Sequence, residues 1–371
     1  MANAILTAAI DALAARTDLS AEQTAEVLAE IMHGEVSEVQ IAGFLIALRT
    51  KGETVDELAG LASTMRMLAA HVPSDREDLL DTAGTGGGAS TFNVSTTAAL
   101  IAAGAGCAVA KHGNRSATSR SGSADVLEAL GARIDLAPEG VAGCIEEAGF
   151  GFMFAPAHHQ ATRFVVPVRR ELAVRTIFNL LGPLTNPAGA RRQLIGVSDV
   201  RFLETIAGAL AQLGVDRALV VASEDGLDEI SASAPTNVVE VNGEELARYV
   251  LDPRELGIAA DERPGALDGG TPQQNALVTR AILEGEAHGA ARPAGEALAA
   301  VNAGAAIYAA GRAQTIAEGV QAARAALAEG RAASALERYV AASRRHAPAH
   351  AEGQAPTGAP PGAHAGREAL R

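Results

Sequence analysis

The sequence predicts an α/β protein in two parts: a small N-terminal helical domain over residues 1–70, and a larger domain over 76–345 built on a central, mainly parallel sheet. Three observations carry that expectation. Residues 1 to about 70 set apolar side chains at helical spacing, as in Ile5, Ala9, Leu13 and again Val27, Leu28, Ile31. From about residue 76 short β-type runs alternate with Ala-rich helical stretches, the pattern of a sheet covered by helices. The chain has 371 residues, enough for two domains or one large domain with an appendage, and 48% hydrophobic content supplies a core.

The elements follow in order. Ser20 with Gln23, Ser37 with Gln40 and Thr54 with Glu57 form capping-box patterns that mark helix starts. The segment VQIAGFLIALRTKG is apolar on more than one face, so the four short helices should pack on the main domain or on a partner subunit. Candidate strands are Cys107–Ala110, Gly151–Phe154, Ala218–Ala222 and Val238–Val241, with helices over Val126–Leu130, Pro138–Ala148 and Arg201–Leu213. Residues 175–187, RTIFNLLGPLTNP, read as a helix and a rigid turn, with helices near 165–190 set against the N-terminal domain. Residues 294–345 return to helix. Residues 347–371 are rich in Pro, Gly and Ala without apolar periodicity and read as a disordered tail.

Composition narrows the function. A net charge of −14 argues against a broad nucleic-acid or anionic-membrane surface, though not against a small phosphorylated ligand held in a local positive field. Cys107 and Cys144 offer neither a disulfide framework nor zinc spacing and read as buried thiols. No segment reads as a signal peptide or a membrane span, and a cytoplasmic enzyme is the expectation.

Between Asp81 and Asp125 there is no carboxylate at all, although Asp and Glu total 44 against 30 Lys and Arg. The interval instead holds Lys111, His112, Arg115, Arg120, many hydroxyls and glycines at 84, 86, 87 and 88. Glycines let backbone N–H groups approach phosphate oxygens, and a helix N-terminus adds a favourable dipole. This reads as a phosphate site, with a tight turn as the alternative for the glycines. The run GTGGGA fits the loose dinucleotide fingerprint, but the acid required some 20 residues later falls in the carboxylate-free interval. A P-loop ending in Gly-Lys-Ser/Thr is absent as well.

KHGNRSATSRSGSAD (111–125) gathers Lys, Arg, Asn and four serines, with Lys111 expected at a strand's exit, where α/β proteins bind ligands; a solvated polar loop is the alternative. In GLDEIS, Asp228 and Glu229 are either a Mg²⁺ pair beside a phosphate pocket or plain surface acids. In VRREL, one arginine either grips an acidic substrate or pairs with Glu171. His158 and His159 are adjacent, which is not the spacing of a helical zinc pair.

Together these segments resemble the anthranilate phosphoribosyltransferase family. The likeness runs from about residue 5 to 345 and includes RTKGETVDELAGLASTMR, the glycine loop with STFNVST, KHGNRSATSRSGSADVLEALG, FGFMFAPAHH, VRREL, RTIFNLLGPLTNP and EDGLDEIS. It implies a nucleoside phosphorylase/phosphoribosyltransferase-like fold, a homodimer joined through the helical part, and transfer of phosphoribose from phosphoribosyl pyrophosphate to the anthranilate amine with Mg²⁺. It further implies that Gly84, Gly87, Gly88, Thr91, Asn93, Val94, Ser95 and Thr96 hold the pyrophosphate end. Lys111, His112, Gly113, Asn114, Arg115, Ser116, Ala117, Thr118 and Ser119, with Ser123, would surround ribose and phosphates. Ser95, Asp228 and Glu229 match the metal-associated positions. Gly84, Asn114 and Arg169 match anthranilate contacts, with Arg169 on the carboxylate and His112, His159 and Pro183 nearby. The family pattern usually reads GTGGDG; this chain reads GTGG followed by GAS, one residue shorter and without the aspartate.

The implied chemistry is substitution at the anomeric carbon with no covalent nucleophile: donors and metal stabilise the leaving diphosphate while a bound amine attacks. Two rival readings are a pyrimidine nucleoside phosphorylase, which shares the fold, and a non-catalytic relative that binds nucleic acid. VRREL and KHGNR favour anthranilate over the first; the charge of −14 and the GLDE pair oppose the second.

Overall fold

A computed structural model describes residues 2–116, 120–258, 267–285 and 292–348. The chain opens with four helices, α1 (Ala4–Ala14), α2 (Ala21–His33), α3 (Glu38–Lys51) and α4 (Val55–Met67). Ser20 and Thr54 each close a reciprocal box with Gln23 and Glu57, as their spacing predicts. Ser37 caps only one way. The Gln40 side chain turns instead to Asn3, the cap of α1, accepting from its N–H and donating to its carbonyl, both at 3.0 Å. A tertiary contact has taken the local partner.

Seven strands follow: β1 (Leu79–Gly84), β2 (Ala108–Gly113), β3 (Phe150–Phe154), β4 (Arg192–Gly196), β5 (Arg217–Ser223), β6 (Thr236–Asn242) and β7 (Glu245–Leu251). Their order is β3-β2-β1-β4-β5-β6-β7. The first five run parallel, and β6 and β7 return antiparallel. The remaining helices are α5 (Val94–Gly104), α6 (Ser123–Ala129), α7 (Pro138–Ala148), α8 (Ala155–His158), α9 (Val166–Leu172), α10 (Phe178–Leu181), α11 (Leu203–Gln212), α12 (Pro272–Leu283), α13 (Arg292–Ala309), α14 (Ile316–Ala328) and α15 (Arg331–His346). The expected α/β class with a mainly parallel sheet is borne out.

Strand alternation divides the interior. Leu194, Leu219, Val221 and Val238 join α5, α7, α13, α14 and α15 in one core. Ile195, Ala218, Val220, Val239 and Val241 face the other way, onto α11 and the apolar sides of α1–α4. The N-terminal helices therefore share a core with the sheet, through contacts of α4 with α11 and α10 and of α3 with α9. At the corner between α1, α3 and α4, buried Glu57 accepts from the N–H groups of Leu19 and Thr54 and from Lys51, which also bonds Asp18.

β1, β4 and β7 were absent from the sequence expectation. β1 and β4 carry buried Asp81, Thr82 and Gln193 among few apolar residues, and β7 is an exposed edge. Residues 175–187 form only the short α10 and a 3-10 turn at Gly182–Leu184. The tail from 349 onward lies outside the described residues.

Candidate active site

Parallel strands deliver their carboxyl ends to one edge of a sheet, and β1, β2 and β4 do so side by side. β1 runs into the glycine loop, where Gly86 (φ 65) and Gly87 (φ 89) adopt left-handed backbone that favours glycine. Thr85 anchors the loop: its N–H donates to Gly196 O and its hydroxyl accepts from Ser198 N.

β2 is longer than expected, and this relocates Lys111. The residue lies inside the strand rather than at its exit, 1% exposed. Its ammonium donates to the Thr82 carbonyl, to Thr82 Oγ1 at 3.2 Å and to Ser95 Oγ at 3.3 Å. Burial lowers its pKa to about 8, against the pull of Asp81 and Glu229. Ser95 stands in the first turn of α5, where its backbone N–H bonds the Glu229 carboxylate.

Asp228 and Glu229 sit in the loop after β5. Asp225 shapes that loop by accepting from the hydroxyls of Ser223 and Ser231, and Asn302 of α13 clasps both the N–H and the carbonyl of Ile230 at 2.9 Å. Burial, then the charge of Asp228, pushes Glu229 up to about 8. Burial also raises Asp228, whose carboxylate bonds the Gly86 N–H. Three glycines admit Asp228: a Cβ on Gly196 would overlap its carbonyl, one on Gly88 would lie 2.5 Å from Oδ1, and one on Gly84 3.3 Å from Oδ2. Position 88 thus has no room for a side chain, so the aspartate of the resembling family's loop has no place there.

These groups meet through Lys111, Ser95, Glu229 and Asp228. Ser95, Asp228 and Glu229 offer only hard oxygen ligands, and two crowded carboxylates whose pKa values burial raises are groups a divalent cation would relieve. Mg²⁺, which takes one or two carboxylates and completes its shell with substrate oxygens, suits that set. No cluster of three or more His, Cys, Asp or Glu with metal-holding geometry occurs among the described residues.

The other expected residues divide. Asn93 caps nothing with its side chain, which instead donates to Ser121 O at 3.1 Å and accepts from Ser121 Oγ and Asn275. Thr91 bridges to Asp268, Val94 is buried, and buried Thr96 keeps a hydroxyl without a partner. Asn114 is exposed, and its side chain accepts from the Arg115 N–H. The Arg115 guanidinium is taken by Asp125 at 2.9 Å and Glu128 at 2.5 and 3.0 Å. Asp125 also accepts from the N–H groups of Ser116 and Gly122, fixing the start of α6 at Ser123. Gly113 ends β2 with its Cβ position against the Phe152 ring and Ser123. Ala117, Thr118 and Ser119 lie outside the described residues.

Below this crevice is a group of buried histidines. His112 Nδ1 stands 3.1 Å from Gly182 O, and its ring centroid lies 5.1 Å from that of His159. A proton on Nδ1 satisfies the carbonyl and leaves Nε2 as acceptor; the Nε2 atoms of His112, His158 and His159 have no partner. Burial, reinforced by neighbouring histidines, drives His112 down to about 3 and His159 to about 4, so both are neutral at pH 7. Pro183, next to the Gly182 whose carbonyl faces His112, is buried, its own carbonyl accepting from Gln193. Arg169, on α9, is half-buried and lies 5.4 Å over the Phe178 ring. Burial alone lowers its pKa, and Glu171 makes no ion pair with it among the described residues.

Three contributors escaped the sequence. Asp81, fully buried in β1, accepts from the His112 N–H at 3.0 Å and from Asn186 at 2.7 Å, and Asn186 also donates to Ala110 O. Burial raises Asp81 to about 6. An acid inside LLDTAG was the available sign. Arg175 donates to Gly86 O at 2.9 Å; its only local signal was a cation opening RTIFN.

Fold and site together define a glycosyl transferase: residues 7–69 match that family's helical bundle domain and 76–333 its a/b domain. The chain is 52% identical to anthranilate phosphoribosyltransferase of Rubrobacter xylanophilus over 92% of its length and 98% of the relative's, and 49% identical to that of Chloroflexus aggregans over 91% and 98%. The Thermus thermophilus enzyme superposes with a TM-score of 0.84 at 47% identity, covering 91% and 99% of the two chains. The Saccharomyces cerevisiae enzyme, solved with PRPP and Mg, gives 0.83 at 25% identity over 93% and 99%. This chain belongs to the anthranilate phosphoribosyltransferase family.

Proposed function

We propose that this protein transfers the phosphoribosyl group from phosphoribosyl pyrophosphate to the amine of anthranilate, giving N-(5-phosphoribosyl)anthranilate and pyrophosphate for tryptophan biosynthesis. The observation that carries the reading is the meeting of Lys111, Ser95, Asp228 and Glu229 beneath a glycine loop at the carboxyl ends of β1 and β2.

In this reading the C–O bond to diphosphate breaks, the amine nitrogen forms the new C–N bond, and one amine proton departs. Negative charge gathers on the leaving group, so preorganised donors aimed there lower the barrier. Gly84, Gly87, Gly88, Thr91, Asn93, Val94, Ser95 and Thr96 form the diphosphate side. Lys111, through its contact with Ser95, and the 112–119 loop with Ser123 form the phosphoribosyl side. Ser95, Asp228 and Glu229 would hold Mg²⁺, which when bound supplies positive charge to the leaving diphosphate. Arg169 orients the anthranilate carboxylate, with Gly84, Asn114, His112, His159 and Pro183 around the acceptor. His112 keeps an unprotonated Nε2, and neutral histidines do not repel the cationic ribosyl centre.

The domain limits 1–70 and 76–345 stay part of the proposal, as does a homodimer through the helical part. Support for the dimer comes from the exposed apolar side chains of Val39 (81%) and Ile46 on α3 and Val166 on the adjoining α9. A cytoplasmic setting accords with two free, buried cysteines, their thiols pushed up to about 12 by burial. No helix of the described residues is long and apolar enough to cross a membrane. The test follows anthranilate fluorescence in the presence of phosphoribosyl pyrophosphate, with and without Mg²⁺. Loss of signal only with the complete mixture is expected; a constant signal rejects the reading.

A further inference from the structure

We propose that Arg175 is a positioning residue for the donor loop: it latches residues 86–88 against Asp228, so that the loop's amides stand ready for diphosphate. The latch has two sides. Arg175 Nη2 donates to Gly86 O at 2.9 Å, and the Gly86 N–H bonds the Asp228 carboxylate. One peptide residue is thereby held from both of its backbone groups, in a loop whose left-handed glycines would otherwise leave it free to move.

The fit is close at each neighbour. A Cβ on Gly87 would overlap Arg175 Nη1, and one on Gly88 would press on Asp228 Oδ1. Arg175 is free for this duty, since the nearby Asp199 is already bonded to Arg201 at 2.7 to 3.2 Å. It stands two residues beyond Ala173, whose left-handed turn (φ 50) ends α9, the helix bearing Arg169. The donor loop and the acceptor-side arginine are thus joined through one short piece of chain. The guanidinium also borders a cleft of about 840 Å³ that includes Gly87 and Arg49, so solvent and solutes reach it.

The donor identity rests on the proposed phosphoribosyl transfer; the latch itself is a property of the chain. The test therefore has a readout without substrate. In Arg175→Ala, the Gly86 amide, which Asp228 holds, should exchange with deuterium about tenfold faster than in the wild type, as loss of a charge-assisted hydrogen bond implies. Exchange across β1, β2 and α5 should stay unchanged. Calorimetry with phosphoribosyl pyrophosphate and Mg²⁺ should give about tenfold weaker binding, with the anthranilate KM within about twofold of wild type. Arg175→Lys, which keeps one donor, should recover part of both effects.

Arg175→Met supplies the check against a merely structural role. It keeps a side chain of similar reach but no donor, so it should loosen the Gly86 amide as much as Arg175→Ala does. Unchanged exchange at Gly86 in Arg175→Ala, or wild-type exchange in Arg175→Met, overturns the latch. Faster exchange in the variant, in a protein whose wild type binds no donor, supports the latch and rejects the proposed substrate.

Discussion

Replacing Arg169 by alanine separates acceptor recognition from everything else the site does. The guanidinium is half-buried, has no carboxylate partner among the described residues, and has its pKa lowered by burial alone. Such a group gains an ion pair when an aromatic acid arrives. Truncating one member of a desolvated, hydrogen-bonded charge pair costs about 2–5 kcal/mol, and partial exposure places Arg169 near the lower figure. About 2 kcal/mol is roughly thirtyfold in the anthranilate KM. The folded protein loses only the contact with Phe178 at 5.4 Å, about 0.5–1 kcal/mol, offset by release of an unpaired buried charge. Its melting temperature should therefore move by no more than about 3 °C. Initial rates from anthranilate fluorescence, with each substrate varied in turn, give both KM values. Arg169→Ala should raise the acceptor value about thirtyfold and the donor value less than about threefold, while exposed Arg170→Ala leaves both unchanged. A parallel rise in both values, or equal damage from Arg170→Ala, refutes the assignment.

Three further outcomes follow from the same geometry. Asp228→Asn combined with Glu229→Gln should abolish Mg²⁺-dependent turnover while the fold persists; unaltered rates at saturating donor would remove the metal assignment. Asp81→Asn should destabilise the protein by about 2 kcal/mol in urea, because the His112 N–H and the Asn186 amide each need an acceptor and asparagine offers only one. Acid should draw on the buried histidines. The folded pKa values of His112 and His159 lie below the unfolded value, so the unfolded chain binds more protons there as pH falls below about 6.5, and their contribution to stability is lost toward pH 4. Between pH 7.5 and 5.5 this removes about 1.4 kcal/mol per histidine. Asp81, raised to about 6, and Glu229, raised to about 8, act in the opposite sense by taking up protons in the folded state, so the histidine part must be isolated by comparison. Urea midpoints of wild type and His159→Gln across that range do so: wild type should lose about 1.4 kcal/mol relative to the variant between pH 7.5 and 5.5, and a difference that does not change with pH would contradict the buried neutral His159.

Local chemistry was legible in the residues. Ser20 and Thr54 announced their helices because a capping box is complete within four positions, and Pro138–Ala148 was read with its final limits. The carboxylate-free interval likewise marked the glycine loop and the strand that carries Lys111. Pairing across the chain was not legible in this way. Lys111 looked like a residue at a strand exit, yet Thr82 and Ser95 satisfy its ammonium inside the sheet. Arg115 looked free for a ligand, yet Asp125 and Glu128 hold it.

What the sequence alone determined was the α/β class, the helix starts, the glycine loop and the family those segments resemble. All of these depend on neighbours a few positions apart or on runs of side chains in order. Only the tertiary structure decided that Asp81 would meet Asn186, that Gln40 would leave Ser37 for Asn3, and that Arg175 and Asp228 would close on one glycine. A buried polar atom must find a partner wherever the folded chain supplies one, and that choice is made by packing in space rather than by distance along the sequence.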